Sequence, residues 1–103
     1  MRPDPIPLTP RMTAFVERAF AGGDPAAALA SLERVDLGDW LSTQPPIGRE
    51  RVLGAILAMA RGDPDRLARA IRDAERDWRD ALVWGGLGNP DWPERLDELL
   101  GPG

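Results

Sequence analysis

The sequence predicts an all-α protein, a single domain of about four to six helices arranged as helical hairpins. Proline and glycine divide its 103 residues into helix-sized segments. Within these segments, apolar residues recur at the period of about 3.6 residues that is typical of an amphipathic helix. No segment alternates between apolar and polar residues at the period of two expected of a strand.

The N-terminal part is predicted to contain an extended segment and then a helix. Three prolines within residues 1–8 predict an extended lead-in, which is followed by a single helical domain at 9–103. Thr9 followed by Pro10 is typical of a helix start, since threonine is a good N-cap and proline suits the first helical position. A glycine pair at Gly22 ends this helix.

A second helix and a short turn are predicted before the middle of the chain. Asp24 and Pro25 begin this helix by the same cap and proline chemistry, with apolar residues directed inward at Ala28, Leu29, Leu32 and Val35. A short turn at 37–41 follows, and it carries Trp40.

The third helix, at about 47–61, is expected to be the central and most buried element, because apolar residues cover more than half of its circumference. Its remaining strip contains Gly54 and Ala58, which are small enough to let another backbone approach closely. The longest apolar run, at 52–60, is too short for a membrane span, which needs about 20 residues.

A long helix is predicted from Asp63 to about Trp84, with one apolar stripe that includes Trp78 and with all charged residues off that stripe. Three glycines then interrupt the chain, and a last short helix is predicted from Pro93 to Leu100.

The motif Gly-Asp-Pro occurs twice, within residues 20–32 and 59–71, each time between two apolar helices. The repetition predicts two helical hairpins of one kind. Two explanations stay open, a duplication of the hairpin and a recurrence of good turn chemistry, in which Gly ends a helix, Asp caps the next and Pro takes its first position.

Composition restricts the function. His, Cys, Lys and Tyr are absent, which removes most side chains that titrate near neutral pH, soft metal ligands, Schiff-base lysines and the P-loop lysine. The net charge of −4 argues against a general nucleic-acid binder. The lack of cysteine and the lack of an apolar secretory segment at the N-terminus fit a cytoplasmic protein.

The segment ILAMARGDPDRLARAIRDAERDWRDALVW, residues 56–84, resembles a segment of small, uncharacterised bacterial proteins. The shared pattern is an apolar helix, Gly-Asp, a leucine-rich helix and an Asp-aromatic-Arg-Asp run. The resemblance covers under a third of the chain. It implies a bacterial, helical protein and no particular activity, and it carries over no functional residue.

Charged residues on the predicted long helix allow three interpretations. A row of arginines, Arg69, Arg72, Arg76 and Arg79, could bind RNA, another anion or an acidic protein. The whole segment 65–80 has five charges of each sign, however, with favourable i,i+4 pairs Asp65/Arg69 and Glu75/Arg79, and is best interpreted as a solvated, self-paired face. Asp73, Asp77 and Asp80 would line one helix edge, so a carboxylate-based metal-dependent hydrolase is the rival hypothesis. We expect no metal or other cofactor.

The tryptophans suggest a binding surface. On one continuous helix, Trp84 points about 120° away from Trp78 and off the apolar stripe, so something else must cover it. The first interpretation is closure by the terminal segment. The alternatives are cover by a protein partner or a second copy of the chain, and a small-molecule pocket. We therefore predict a non-enzymatic protein-protein interaction module, either homodimeric or bound to another protein, with partner-binding residues Trp84, Leu87, Trp92, Arg76, Asp77 and Asp80.

Overall fold

Six α-helices make up most of the computed structural model, which describes residues 8–37, 41 and 43–101. They are α1 (Pro10–Ala19), α2 (Pro25–Glu33), α3 (Pro46–Ala60), α4 (Pro64–Arg76), α5 (Trp78–Trp84) and α6 (Trp92–Leu100). The described residues contain no strand, so the predicted all-α fold is confirmed. No described helix is both long and apolar enough to cross a membrane.

Two of the predicted segments fall largely outside the described residues. These are positions 1–7 of the extended lead-in and positions 38–40 of the short turn, which include Trp40. The neighbouring Leu8 and Leu37 pack against the hydrophobic core, and Leu41 is buried.

Both Gly-Asp-Pro turns work by the predicted cap chemistry. Helices α1 and α2 form one hairpin, and α3 and α4 form another. In the first turn, the Asp24 carboxylate accepts a hydrogen bond from the backbone N–H of Ala27 at 3.1 Å. In the second, the Asp63 carboxylate accepts from the N–H groups of Asp65 and Arg66 at 2.8 and 3.2 Å. The caps confirm the turn chemistry, while the duplication stays a prediction.

Helix α3 is the central element, as predicted, because it contacts α1, α4, α5 and α6. Its small residues permit two close approaches. Gly54 is buried, and a methyl group there would lie 2.7 Å from Cδ1 of Leu96 on α6. The backbone of Ala55 lies so near Gly85, just after α5, that a methyl group on Gly85 would come within 2.6 Å of the Ala55 Cα.

The prediction of one long helix from Asp63 to Trp84 is wrong, because the helix is broken at Asp77. This residue has an extended backbone (φ −156°, ψ 100°), so α4 ends before it and α5 begins after it. Its carboxylate accepts a hydrogen bond from the N–H of Arg79 at 3.1 Å and caps α5. Aspartate competes for backbone N–H groups in this way and favours caps over helix interiors. The break leaves the apolar spacing unchanged, so the periodicity did not reveal it.

The contact between Gly85 and Ala55 gives a prediction for stability. Gly85 has a negative φ of −82°, so alanine there would suffer no backbone strain, only overlap with the α3 backbone. We expect Gly85→Ala to lower the free energy of unfolding by about 1–3 kcal/mol, the usual cost of overpacking. Chemical denaturation measures the change.

The matched control is Gly22→Ala, because a methyl group on Gly22 would meet nothing within 4 Å. Its free energy of unfolding should stay near that of the unchanged protein. Equal stability of the two alanine variants would contradict the close approach of α5 to α3.

Candidate functional site

Trp84 is the most exposed large apolar side chain of the described residues, with 78% of its surface accessible to solvent. Its neighbour Val83 follows at 71%. Both lie at the C-terminal end of α5, whose opposite side buries Ala81 and Leu82 in the core. The expectation that Trp84 faces away from the core is confirmed.

The terminal segment does not cover Trp84, so the first interpretation of the tryptophan cluster, closure within the chain, is wrong for this residue. Instead the segment closes over α3. Leu87 is only 2% exposed, and its carbonyl oxygen accepts a hydrogen bond from Nε of Arg51 at 3.0 Å. Trp92 is half-buried against the core, with the Arg51 guanidinium 4.7 Å from the centre of its ring.

Two of the predicted partner-binding residues are therefore not on the surface that Trp84 forms. Leu87 lies in the core, and Trp92 packs against the core and against Arg51 of α3, which holds the terminal segment on that helix. Spacing along the chain placed them near Trp84, but the chain turns directly after α5, where Gly86 has a positive φ of 79° and the Leu87 N–H bonds back to the Leu82 carbonyl at 2.9 Å. Sequence proximity alone did not show this reversal.

A groove of about 370 Å³ lies beside Trp84, between α3, α4 and α5, and we call it the Trp84 groove. Its apolar residues are Met59, Ala81 and Trp84, and its charged residues are Asp73, Arg76, Asp77 and Asp80. The predicted residues Arg76, Asp77 and Asp80 are thus brought together with Trp84. Met59 was not predicted as a neighbour of Trp84, because their proximity needs the packing of α5 on α3, and Asp73 was predicted only as a metal ligand or as a flank of the arginine row.

The charge of the groove is negative. Three carboxylates face one guanidinium, and among the described residues none of the four takes part in an ion pair. The Asp77 carboxylate is oriented by its hydrogen bond to the backbone of α5. The arrangement can attract a cation to a surface that also offers apolar contact.

The groove does not support the rival metal hypothesis. A metal ion would need three or more suitably placed ligands, and no such group of acidic residues, histidines or cysteines occurs in the part of the chain that the structure describes. The break at Asp77 removes the single helix edge on which Asp73, Asp77 and Asp80 were expected to align.

The break also divides the predicted arginine row. Arg79 lies on α5, where its guanidinium is 5.5 Å from the ring centre of Trp78, while the other three arginines stay on α4. The expected pairing of Glu75 with Arg79 is wrong: the Glu75 carboxylate accepts a hydrogen bond from the backbone N–H of Asp36 at 2.9 Å. Within the described ranges, the other expected pair, Asp65/Arg69, is not formed either.

A second charged cluster, which sequence analysis missed, lies near the opposite end of α3. Glu50 is the buried charged residue of the described chain, at 4% exposure. Arg11 of α1 donates to both Glu50 carboxylate oxygens, at 2.7 and 2.9 Å, and to Asp97 of α6 at 2.6 Å. The Thr9 hydroxyl also donates to Glu50, instead of capping α1 as predicted.

This cluster joins three helices and is structural. Burial raises the pKa of Glu50, but the hydrogen bonds from Arg11 and Thr9 outweigh it and hold the pKa below the ordinary value. The hydrogen bonds that Arg11 donates to Glu50 and Asp97 raise the pKa of Arg11 above its ordinary value. Both groups therefore stay charged at neutral pH, and each satisfies hydrogen bonds of the other.

No protein-family model matches the chain, and no curated protein or solved structure is significantly similar to it. The function must therefore be inferred from the surface itself.

The Glu50 cluster predicts a pH dependence of stability. The pKa of Glu50 is lower in the folded chain than its ordinary value of 4.5, so the stabilisation is present above about pH 4.5 and is lost as the pH falls toward the folded pKa. We expect Glu50→Gln to lower the free energy of unfolding at pH 7 by about 3 kcal/mol, because it leaves Arg11 without its buried partner. The difference should shrink as the pH falls below about 4.5.

Urea denaturation across this pH range measures the difference. Glu17→Gln, at an exposed position on α1, is the control and should change stability little at any pH. A difference between Glu50→Gln and the unchanged protein that stayed constant down to acid pH would show that the Glu50 charge does not stabilise the fold.

Proposed function

We propose that this chain is a non-enzymatic protein-protein interaction module and that the Trp84 groove, together with Val83, is its contact surface. The observation that carries the proposal is the 78% exposure of Trp84 beside the 71% exposure of Val83. Tryptophan is enriched where proteins bind one another and often supplies a large share of the binding energy. Adjacent exposed apolar residues at the edge of a groove are typical of such sites.

The site is preorganised. Ala81 and Leu82 anchor α5 in the core, and the contact of Gly85 with α3 holds the chain directly after Trp84. The backbone that carries the exposed indole is therefore held on both sides, and binding does not need to order it. A rigid aromatic anchor loses little conformational entropy on binding.

The rest of the chain supports a binding role more than a catalytic one. The ionisable cluster with perturbed pKa values, Arg11 with Glu50, is internally satisfied, and the acids beside Trp84 have no base or nucleophile of the histidine, cysteine or lysine type near them. We place the protein in the cytoplasm of a bacterium, which its lack of cysteine and its resemblance to small bacterial proteins favour.

Exposure of Trp84 predicts that function and stability can be separated at this position. Trp84→Ser should change the free energy of unfolding by no more than about 0.5 kcal/mol, as is usual for surface positions. Trp92→Ser should be clearly destabilising, since it removes packing against the core and the stacking on Arg51. Thermal unfolding of both variants measures the contrast, and a large loss of stability in Trp84→Ser would show that Trp84 is covered in solution.

The contact itself can be tested by placing a photo-crosslinking amino acid at position 84 in cells that make the protein. We expect a covalent adduct of defined mass, because the side chain at this position would lie within the interface. The control places the same amino acid at Ala26, an exposed position on α2. An adduct of twice the chain mass would identify a homodimer, which sedimentation at micromolar concentration would then confirm. Adduct levels at position 84 no higher than at position 26 would contradict the proposal.

A further inference from the structure

We infer that the occupant of the Trp84 groove is a basic segment of another protein, which inserts an arginine side chain between the Trp84 ring and the aspartates. The inference rests on the proposed function and names the class of partner. Three observations support it: the groove carries a net negative charge, no arginine of the described chain lies over the Trp84 ring, and apolar residues line the groove beside the acids.

The charge of the groove favours a cation. Asp73, Asp77 and Asp80 contribute three negative charges, and Arg76 contributes one positive charge. Even if Arg76 neutralised one carboxylate, two would be left without a cation from the described chain. Carboxylates bind a guanidinium through two parallel hydrogen bonds, so an incoming arginine matches them in shape and in charge.

Two of the three described tryptophan rings have an arginine guanidinium group over them. Trp78 carries Arg79 at 5.5 Å from its ring centre, and Trp92 carries Arg51 at 4.7 Å. Trp84 is the described tryptophan without such an arginine, although it is the most exposed of the three. A cation over the face of an indole is stabilised by the negative potential of the ring. An arginine from a partner would complete the same arrangement at Trp84.

The apolar residues of the groove fit the stem of the same side chain. Met59 and Ala81 also line the groove, and Met59, which is only partly buried, can contact methylene groups. Arginine combines an apolar stem with a charged planar head, so one side chain satisfies both parts of the surface. The adjacent exposed Val83 can contact an apolar residue of the same partner segment.

Other occupants fit less well. A second copy of the chain has a net charge of −4, and the arginines on its α4 and α5 are matched by as many acids within residues 65–80. Nucleic acids and anionic membrane surfaces would bring phosphates toward three carboxylates. A basic, amphipathic segment of a different protein is the occupant that the charges favour.

The test uses three synthetic helical peptides with capped ends and leucine on one face. The other face carries arginine in the first peptide, glutamate in the second and glutamine in the third. Binding to the full chain is measured by fluorescence anisotropy at low and at physiological salt. We expect the arginine peptide to bind most tightly, to weaken as salt is added, and to bind at least about tenfold more tightly than the glutamate peptide.

Variants locate the binding site. Trp84→Ala should weaken binding of the arginine peptide by about tenfold, as expected for loss of a central aromatic contact. The double variant Asp73→Asn/Asp80→Asn should weaken it several-fold and reduce its salt dependence; Asp77 is left unchanged because it caps α5. The charge-matched control, Glu17→Gln/Asp65→Asn, removes two exposed acids outside the groove and should bind like the unchanged protein.

The outcomes separate this inference from the proposed function. If position 84 forms an adduct in cells but the glutamate or glutamine peptide binds as tightly as the arginine peptide, the basic partner is ruled out and the interaction role stands. The same holds if position 84 forms an adduct and no peptide binds. If the arginine peptide binds Trp84→Ala and the unchanged protein equally well, the groove is not its site. If no adduct forms and no peptide binds, both proposals fail.

Discussion

The close approach of Gly85 to Ala55 is the constraint on which the position of Trp84 depends. A methyl group on Gly85 would lie 2.6 Å from the Ala55 Cα, so the chain after α5 touches the backbone of the central helix directly. Small residues on both elements make this contact possible, and it fixes the C-terminal end of α5 on α3. With Ala81 and Leu82 buried on the inner side of α5, the indole of Trp84 is left on the outer side. The exposure of Trp84 therefore results from the way α5 packs on the core, and the end of α5 that carries it is held in place.

The two ends of α3 show opposite ways of treating charge. At Glu50, burial is compensated by two hydrogen bonds from Arg11 and one from Thr9, so Arg11 neutralises Glu50 and joins α1 to α3. A further hydrogen bond from Arg11 to Asp97 joins α6 to the same cluster. Near Met59, about 13 Å further along the helix axis, the acids are exposed and carry no such partner among the described residues. Buried ion pairs contribute geometry more than net stability, whereas exposed like charges beside an aromatic ring cost little in water and become useful when a cation arrives.

Much of the fold could be predicted from the sequence, because it depends on local chemistry. Proline positions predicted the starts of α1 to α4, Asp24 and Asp63 cap as expected, and the apolar circumference of α3 identified the central helix. The predictions failed where contacts between residues far apart in the sequence determine the structure. Periodicity is insensitive to one extended residue, so the break at Asp77 was missed, and with it the separation of the arginine row. The burial of Leu87 depends on a turn at Gly86, whose positive φ of 79° no periodic pattern predicts. The pairing of Arg11 with Glu50 joins residues far apart in sequence, which no local pattern reveals.

Asp77 links the fold to the candidate site. By capping α5 it ends α4, and this break lets α5 pack on α3 as a separate helix while Asp73, Arg76 and Asp80 stay close to the bend. A continuous helix would spread these residues along one straight edge, whereas the bend gathers them beside Met59 and Trp84. The acidic groove is thus a product of the helix break, and its charge comes from the residue type that makes the break possible. Because Asp77 serves both roles, a change there would alter the groove and the helix together. The binding role is therefore best separated from the structural one at Asp73 and Asp80, whose carboxylates support no backbone contact in the described chain.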